Sequence, residues 1–265
     1  MRIRIVDAFT TRPFAGAPAG VVVLDAFPAD SWMQQVAAEV NHAETAFLHR
    51  LPAGSDADWA LRWFTPAVEV ALCGHATLAA AHVLRESRPV RFVTRSGVLV
   101  ASPGPDGMIT LDFPTAPLTP VDAGPALAAA LGVAIRAVHH TGPNTDDLLV
   151  EVADEKTVRA VVPDLRALVP LSGRGVIVTA AADDPAAGYD FVSRFFGPAV
   201  GVDEDPVTGS AHTALAPYWA AKLGRAELTG YQASPRGGSV RVALRGDRTH
   251  LSGHAVTVID GELRA

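Results

Sequence analysis

Residues 62–70 read Arg-Trp-Phe-Thr-Pro-Ala-Val-Glu-Val, and residues 194–202 read Arg-Phe-Phe-Gly-Pro-Ala-Val-Gly-Val, 132 positions later. The offset is half of a 265-residue chain. A shorter echo at the same spacing, Ile3-Arg4-Ile5-Val6 with Ile135-Arg136-Ala137-Val138, makes chance a poor explanation. A unit present twice has to fold twice. The chain is therefore expected to hold two similar halves.

The hydrophobic patterning repeats in the same order. The first half predicts strands over 3–9 and 21–24, a helix from Asp30 to Val40 with Pro28 and Asp30 as start signals, and strands at 45–48 and 62–64. An Ala-rich helix then runs from Cys73-Gly74-His75 to about Glu86, and β-rich segments over 90–101 and 108–113 close the half. The second half predicts strands at 135–138 and 148–152, a helix over 155–168, and strands at 175–179 and 191–196. A helix over 209–223 and strands near 239–244 and 254–259 complete it. Many strands around one long apolar helix, twice over, predict an α+β fold of two pseudo-symmetric domains. Each would be a curved, mainly antiparallel sheet wrapped around a central helix. The expected boundaries are 1–115 and 131–265, with the proline-rich stretch 116–130 as a linker region and the last strand free to return to the first domain. Such pairs bind ligands in the crevice between domains.

Composition narrows the chemistry. With 49% hydrophobic residues and a net charge of −6 the chain is globular, and its acidic balance gives no support for a nucleic-acid or membrane partner. No stretch approaches the ~18 apolar residues of a membrane span, and the N-terminus lacks a signal-peptide core, so a cytoplasmic protein is expected. The single cysteine, Cys73, excludes an intramolecular disulfide and a Cys₄ zinc site. Neither of the two lysines sits in a Schiff-base context. No nucleotide-binding glycine motif, H-E-x-x-H or G-x-S-x-G is present, and His250 and His254 make no convincing metal pair. No cofactor and no metal are expected.

What remains stands where the halves correspond. Each long helix opens on a glycine after an irregular turn, at Cys73-Gly74-His75 and at Asp205-Pro206-Val207-Thr208-Gly209-Ser210. A helix N-terminus offers free N–H groups and about half a unit of positive charge, and glycine lets an anion approach them. Two such ends would grip a small carboxylated substrate. Ordinary capping by Thr208 or Ser210 is the plain alternative.

These residues carry a family resemblance. Ala43-Glu44-Thr45-Ala46-Phe47, Arg62 with Phe64-Thr65-Pro66, Glu69-Val70, Leu72-Cys73-Gly74-His75-Ala76-Thr77 and Glu204-Asp205-Pro206-Val207-Thr208-Gly209-Ser210-Ala211 together resemble the PhzF family of phenazine-biosynthesis-like isomerases over nearly the whole chain. The resemblance implies the diaminopimelate-epimerase-like fold, a homodimer, and no cofactor or metal. It implies that Glu44 is the catalytic acid/base, that His75 and Asp205 line the site as proton-handling groups, and that Gly74, Gly209 and Ser210 bind substrate. Where many members read Gly-Asn-Pro, this chain has Gly16-Ala17-Pro18.

Related epimerases and racemases use two cysteines. One of those sites resembles Cys73-Gly74-His75, but Asp205–Ser210 contains no thiol, so a two-cysteine mechanism is excluded by counting. A one-base isomerisation through Glu44 is left, with burial expected to raise its pKa. The alternatives are an amino-acid epimerase or racemase pairing Cys73 with a non-thiol base, and a non-catalytic binding protein that keeps the cleft.

Overall fold

The computed structural model describes residues 1–122 and 124–264; Ala123, inside the segment read as a linker, and Ala265 lie outside the described residues. Two units emerge: Met1–Asp112 with Ser252–Ala265, and Phe113–Leu251.

In the first unit, Ala17–Leu24 carries the apolar run Val21-Val22-Val23-Leu24, and Val21 and Val22 are fully buried. It pairs in parallel with Glu44–Arg50. A parallel pair needs a crossover, which helix Asp30–Val40 supplies with the bounds its start signals predict. Asn41 ends that helix in the left-handed conformation. Glu44–Arg50 then pairs antiparallel with Trp59–Phe64, which lies parallel to Val90–Thr94. The second crossover contains helix Gly74–Leu84, whose residues His75 to Ala80 are all buried. A helix that is apolar on every side belongs in the middle of its unit. Its end at Leu84, rather than near Glu86, is set by Arg85 in the left-handed conformation, with its N–H on the Ala81 carbonyl. Arg2–Ala8 pairs with Ala17–Leu24 on one side and with Ala255–Glu262 on the other.

The second unit repeats these pairings. Asp147–Glu151 lies parallel to Gly175–Ala181, which is antiparallel to Phe191–Gly197; that strand lies parallel to Glu227–Gln232. Phe191 stands at the repeat offset from Trp59, so the two central strands start in step. Helix Gly209–Leu223 fills the same crossover as Gly74–Leu84 and is buried along most of its length.

Beyond that helix end, several details differ from the sequence expectation, among them the strand Arg248–Gly253, which the sequence reading passed over. The helix expected over 155–168 is two short ones, Glu155–Ala160 and Leu165–Leu168. Pro163 lacks an amide N–H and disfavours helix at Val162 before it. Asp154 and Asp164 each cap a fragment, accepting from Thr157 N and Ala167 N. The strand expected at 135–138 is Ala137–His140. Glu227–Gln232, with alternating burial, is a strand the sequence reading passed over. The stretch read as a linker contains helix Gly124–Leu131, whose Leu127, Ala130 and Leu131 pack into the core of the second unit with Val150 and Val176.

Candidate active site

Glu44 is the first residue of its strand, and its side chain keeps 19% of its surface accessible. The turn that faces it is held by a charged clamp. Arg62 grips Glu69 with two parallel hydrogen bonds, Nε to Oε1 at 2.7 Å and the terminal nitrogen to Oε2 at 2.8 Å, while Arg95 adds a third at 2.8 Å. Bidentate guanidinium–carboxylate pairs fix direction as well as distance. The hairpin strand Glu69–Val70 thus enters the buried helix along a set path.

That path delivers Cys73, Gly74 and His75 to the helix start. His75 Nε2 lies 3.1 Å from Glu44 Oε2, and Cys73 Sγ lies 3.7 Å and 4.0 Å from the two ring nitrogens of His75. Cys73, the N-cap residue, makes no side-chain capping bond. Burial alone would lower the His75 pKa, but the Cys73 sulfur, to the extent that it is ionised, and the Glu44 carboxylate oppose it and raise the imidazole pKa well above its usual value. Burial pushes the Cys73 thiol up to about 11, with the Glu44 charge adding to it. The thiol is therefore protonated at neutral pH and a poor base.

The second unit builds the same frame with different chemistry. Arg194 grips Glu204 at 2.7 and 2.9 Å, and stacks on Phe196 as Arg62 stacks on Phe64. Gly209 follows Glu204 by five residues, as Gly74 follows Glu69. Thr208 therefore corresponds to Cys73, Ser210 to His75 and His212 to Thr77. The local bonding agrees: the Thr77 hydroxyl donates to the Cys73 carbonyl at 2.5 Å, and His212 Nδ1 lies 2.8 Å from the Thr208 carbonyl. Thr208 does not cap its helix; its hydroxyl donates to Asp205 Oδ2 at 2.5 Å.

Glu44 has no such counterpart. Thr45 stands opposite Phe64, and Val176 stands opposite Phe196, so the position matching Glu44 is Gly175. A Cβ there would meet the Phe195 ring at 2.5 Å and the Phe196 carbonyl oxygen at 2.8 Å. At this matched position the first unit thus carries a carboxylate and the second a glycine.

The structure brings Glu44, Gly74 and His75 together in the first unit, and Asp205, Gly209 and Ser210 along one turn of the second. One positioning residue escaped the sequence reading. Gln232 is fully buried; its Oε1 accepts from Thr208 N at 2.8 Å, and its Nε2 donates to the Asp205 carbonyl at 2.7 Å and the Thr208 hydroxyl at 3.1 Å. Its partners lie some two dozen residues away, so no local motif announces it. Ala17, where an asparagine is usual in the resembled pattern, is fully buried opposite Ala8.

The comparisons with known proteins bear on the family and the fold. The family model described as phenazine biosynthesis-like protein matches residues 6–261. An uncharacterized isomerase of Pseudomonas aeruginosa is 50% identical over 98% of this chain and 97% of its own length. The crystal structure of a PhzF-family phenazine biosynthesis protein from Enterococcus faecalis superimposes with a TM-score of 0.91 at 40% identity, covering 100% of this chain and 99% of that one. A probable proline racemase from Agrobacterium radiobacter shares the fold at a TM-score of 0.63 and 14% identity, covering 99% of this chain and 92% of its own. Fold and relatives together define an isomerase on the diaminopimelate-epimerase-like α+β architecture. Within that class, the chain belongs to the phenazine biosynthesis-like, or PhzF, family.

Proposed function

We propose that this isomerase moves a proton between carbon positions of a small carboxylated metabolite, with Glu44 as the general acid/base and without a resident cofactor. The observation that carries the reading is the pairing of Glu44 Oε2 with His75 Nε2 at 3.1 Å beside a helix start that no side chain caps. A carboxylate with partial access can take a proton from an activated C–H and return it elsewhere. His75, held protonated well above its usual range, supports the anionic form of Glu44 before the transfer. The N–H groups around Gly74 offer binding to a substrate carboxylate or a developing enolate oxygen. Asp205, Gly209 and Ser210 are assigned to proton handling and substrate binding in the second unit. The protein is further proposed to act in the cytoplasm as a homodimer, with no nucleic-acid or membrane partner. No helix among the described residues is long and apolar enough to cross a membrane.

An epimerase using Cys73 with a non-thiol base is less well supported, because the thiol is pushed up to about 11 and its repeat counterpart is Thr208. The deciding experiment is a screen of carboxylated metabolites in deuterated water. Glu44→Gln is expected to abolish deuterium incorporation while binding changes less than tenfold. Undiminished exchange in that variant would overturn the assignment.

A further inference from the structure

We propose that Glu44, Cys73 and His75 form a zinc-binding site, and that a zinc ion seated there removes Glu44 from proton transfer. The second half of this statement rests on the functional reading above; the first does not. One ligand atom from each residue lies within 4.8 Å of the other two, and all three side chains belong to the same unit. His75 Nε2 is 3.1 Å from the carboxylate oxygen and 4.0 Å from the sulfur, with Nδ1 3.7 Å from that sulfur. Tetrahedral zinc, with bonds of about 2.3 Å to sulfur and about 2.0 Å to nitrogen or oxygen, asks for ligand separations of roughly 3.3–3.6 Å. The His75–Glu44 separation is close to that range, while the sulfur sits beyond it, 4.0 Å from Nε2 and within 4.8 Å of the carboxylate oxygen, so the Cys73 side chain has to turn inward to close the face.

The donor set suits zinc rather than calcium or magnesium. A thiolate, an imidazole and one carboxylate are borderline to soft ligands, whereas the hard cations take oxygen alone. The Arg62–Glu69 clamp and the start of the central helix hold Cys73 and His75 in place, which lowers the ordering cost of binding. Three protein ligands leave a fourth position for water. Binding releases two protons to solvent: the Cys73 S–H proton leaves as the Zn–S bond forms, the imidazolium proton of His75 leaves as the Zn–N bond forms, and no electron changes hands. Glu44 then spends a lone pair on the metal and cannot act as a base. Zinc here is a blocking ligand that competes with substrate, distinct from a resident cofactor.

The test uses chelator-stripped full-length protein, titrated with cobalt(II) and then zinc(II). One equivalent of cobalt is expected to produce the near-ultraviolet thiolate-to-metal charge-transfer absorption, and zinc to displace it. Cys73→Ser should abolish the band, and both Cys73→Ser and His75→Ala should weaken zinc binding at least tenfold, with circular dichroism confirming the fold of each variant. No band in the wild-type protein, or equal zinc affinity in wild type and Cys73→Ser, overturns the site. A second arm follows deuterium exchange into whichever carboxylated metabolite responds in the screen, with and without saturating zinc. A band with exchange suppressed supports both halves. A band with exchange undiminished overturns Glu44 as the base and leaves the metal site standing.

Discussion

A single carboxylate at the start of one strand, and a glycine at the matching place in the repeat, separate the two halves chemically. Glu44 was nameable from the sequence only through its setting in a family pattern, because an acidic residue at a strand edge is otherwise an ordinary surface group. Its contact with His75 depends on how the strand register meets the helix start, which spacing alone does not give. His212 is the opposite case: invisible in the sequence as anything but a helix residue, it is fully buried and its pKa is pushed down to about 4 by that burial. An unfolded histidine binds its proton near pH 6.5, whereas the folded protein resists until about pH 4, so acid favours unfolding in this window. The stability this group contributes is present above pH 6.5 and is lost as pH falls, by roughly 3 kcal/mol in all. Denaturant unfolding measured between pH 7 and pH 4 should show that slope, flattened by about one proton in His212→Asn. An unchanged slope would mean His212 is already protonated in the folded state.

Among elements, the turns entering the two long helices are the most determined pieces of the molecule. Each is tied by an arginine two residues before a phenylalanine, and the sequence repeat displays both arginines. It does not display the equivalence of Glu69 and Glu204, because three extra residues separate Arg194 from its glutamate. The second turn has a further tie in Gln232, whose amide satisfies both a backbone N–H and a backbone carbonyl. Gln232→Ala strands those groups without partners, and the expected cost is about 2–4 kcal/mol in denaturant unfolding, with Gln232→Glu recovering only the acceptor half. A loss below 0.5 kcal/mol would show that the turn holds itself. The same scale explains the broken helix at Pro163: apolar periodicity continues across the break, but backbone chemistry does not.

For the whole molecule, the duplication was legible because both copies kept their aromatic strand and their helix-opening glycine. The membership of the last strand was less so, since a strand's partners are decided by geometry rather than by its own residues. Ala255–Glu262 pairs with Arg2–Ala8 along its full length, and Arg2 and Arg4 both bond Asp260. Ending the chain after Gly253 exposes one edge of Arg2–Ala8, which invites intermolecular pairing. Hydrogen exchange followed by mass spectrometry should then show protection lost across 1–112 and retained across 113–251. Equal protection in both segments would refute that dependence.

The same pairing has a consequence for the order in which the protein is made. Residues 113–251 leave the ribosome as one uninterrupted stretch and can fold as soon as they are out. The unit that contains Glu44 begins earlier, yet its first strand stays without one of its two neighbours until residue 262 has been added. The half translated first is the half completed last, and throughout that interval the nascent chain carries an open β-edge on its first strand, with Ala17–Leu24 between that strand and the one that begins at Glu44.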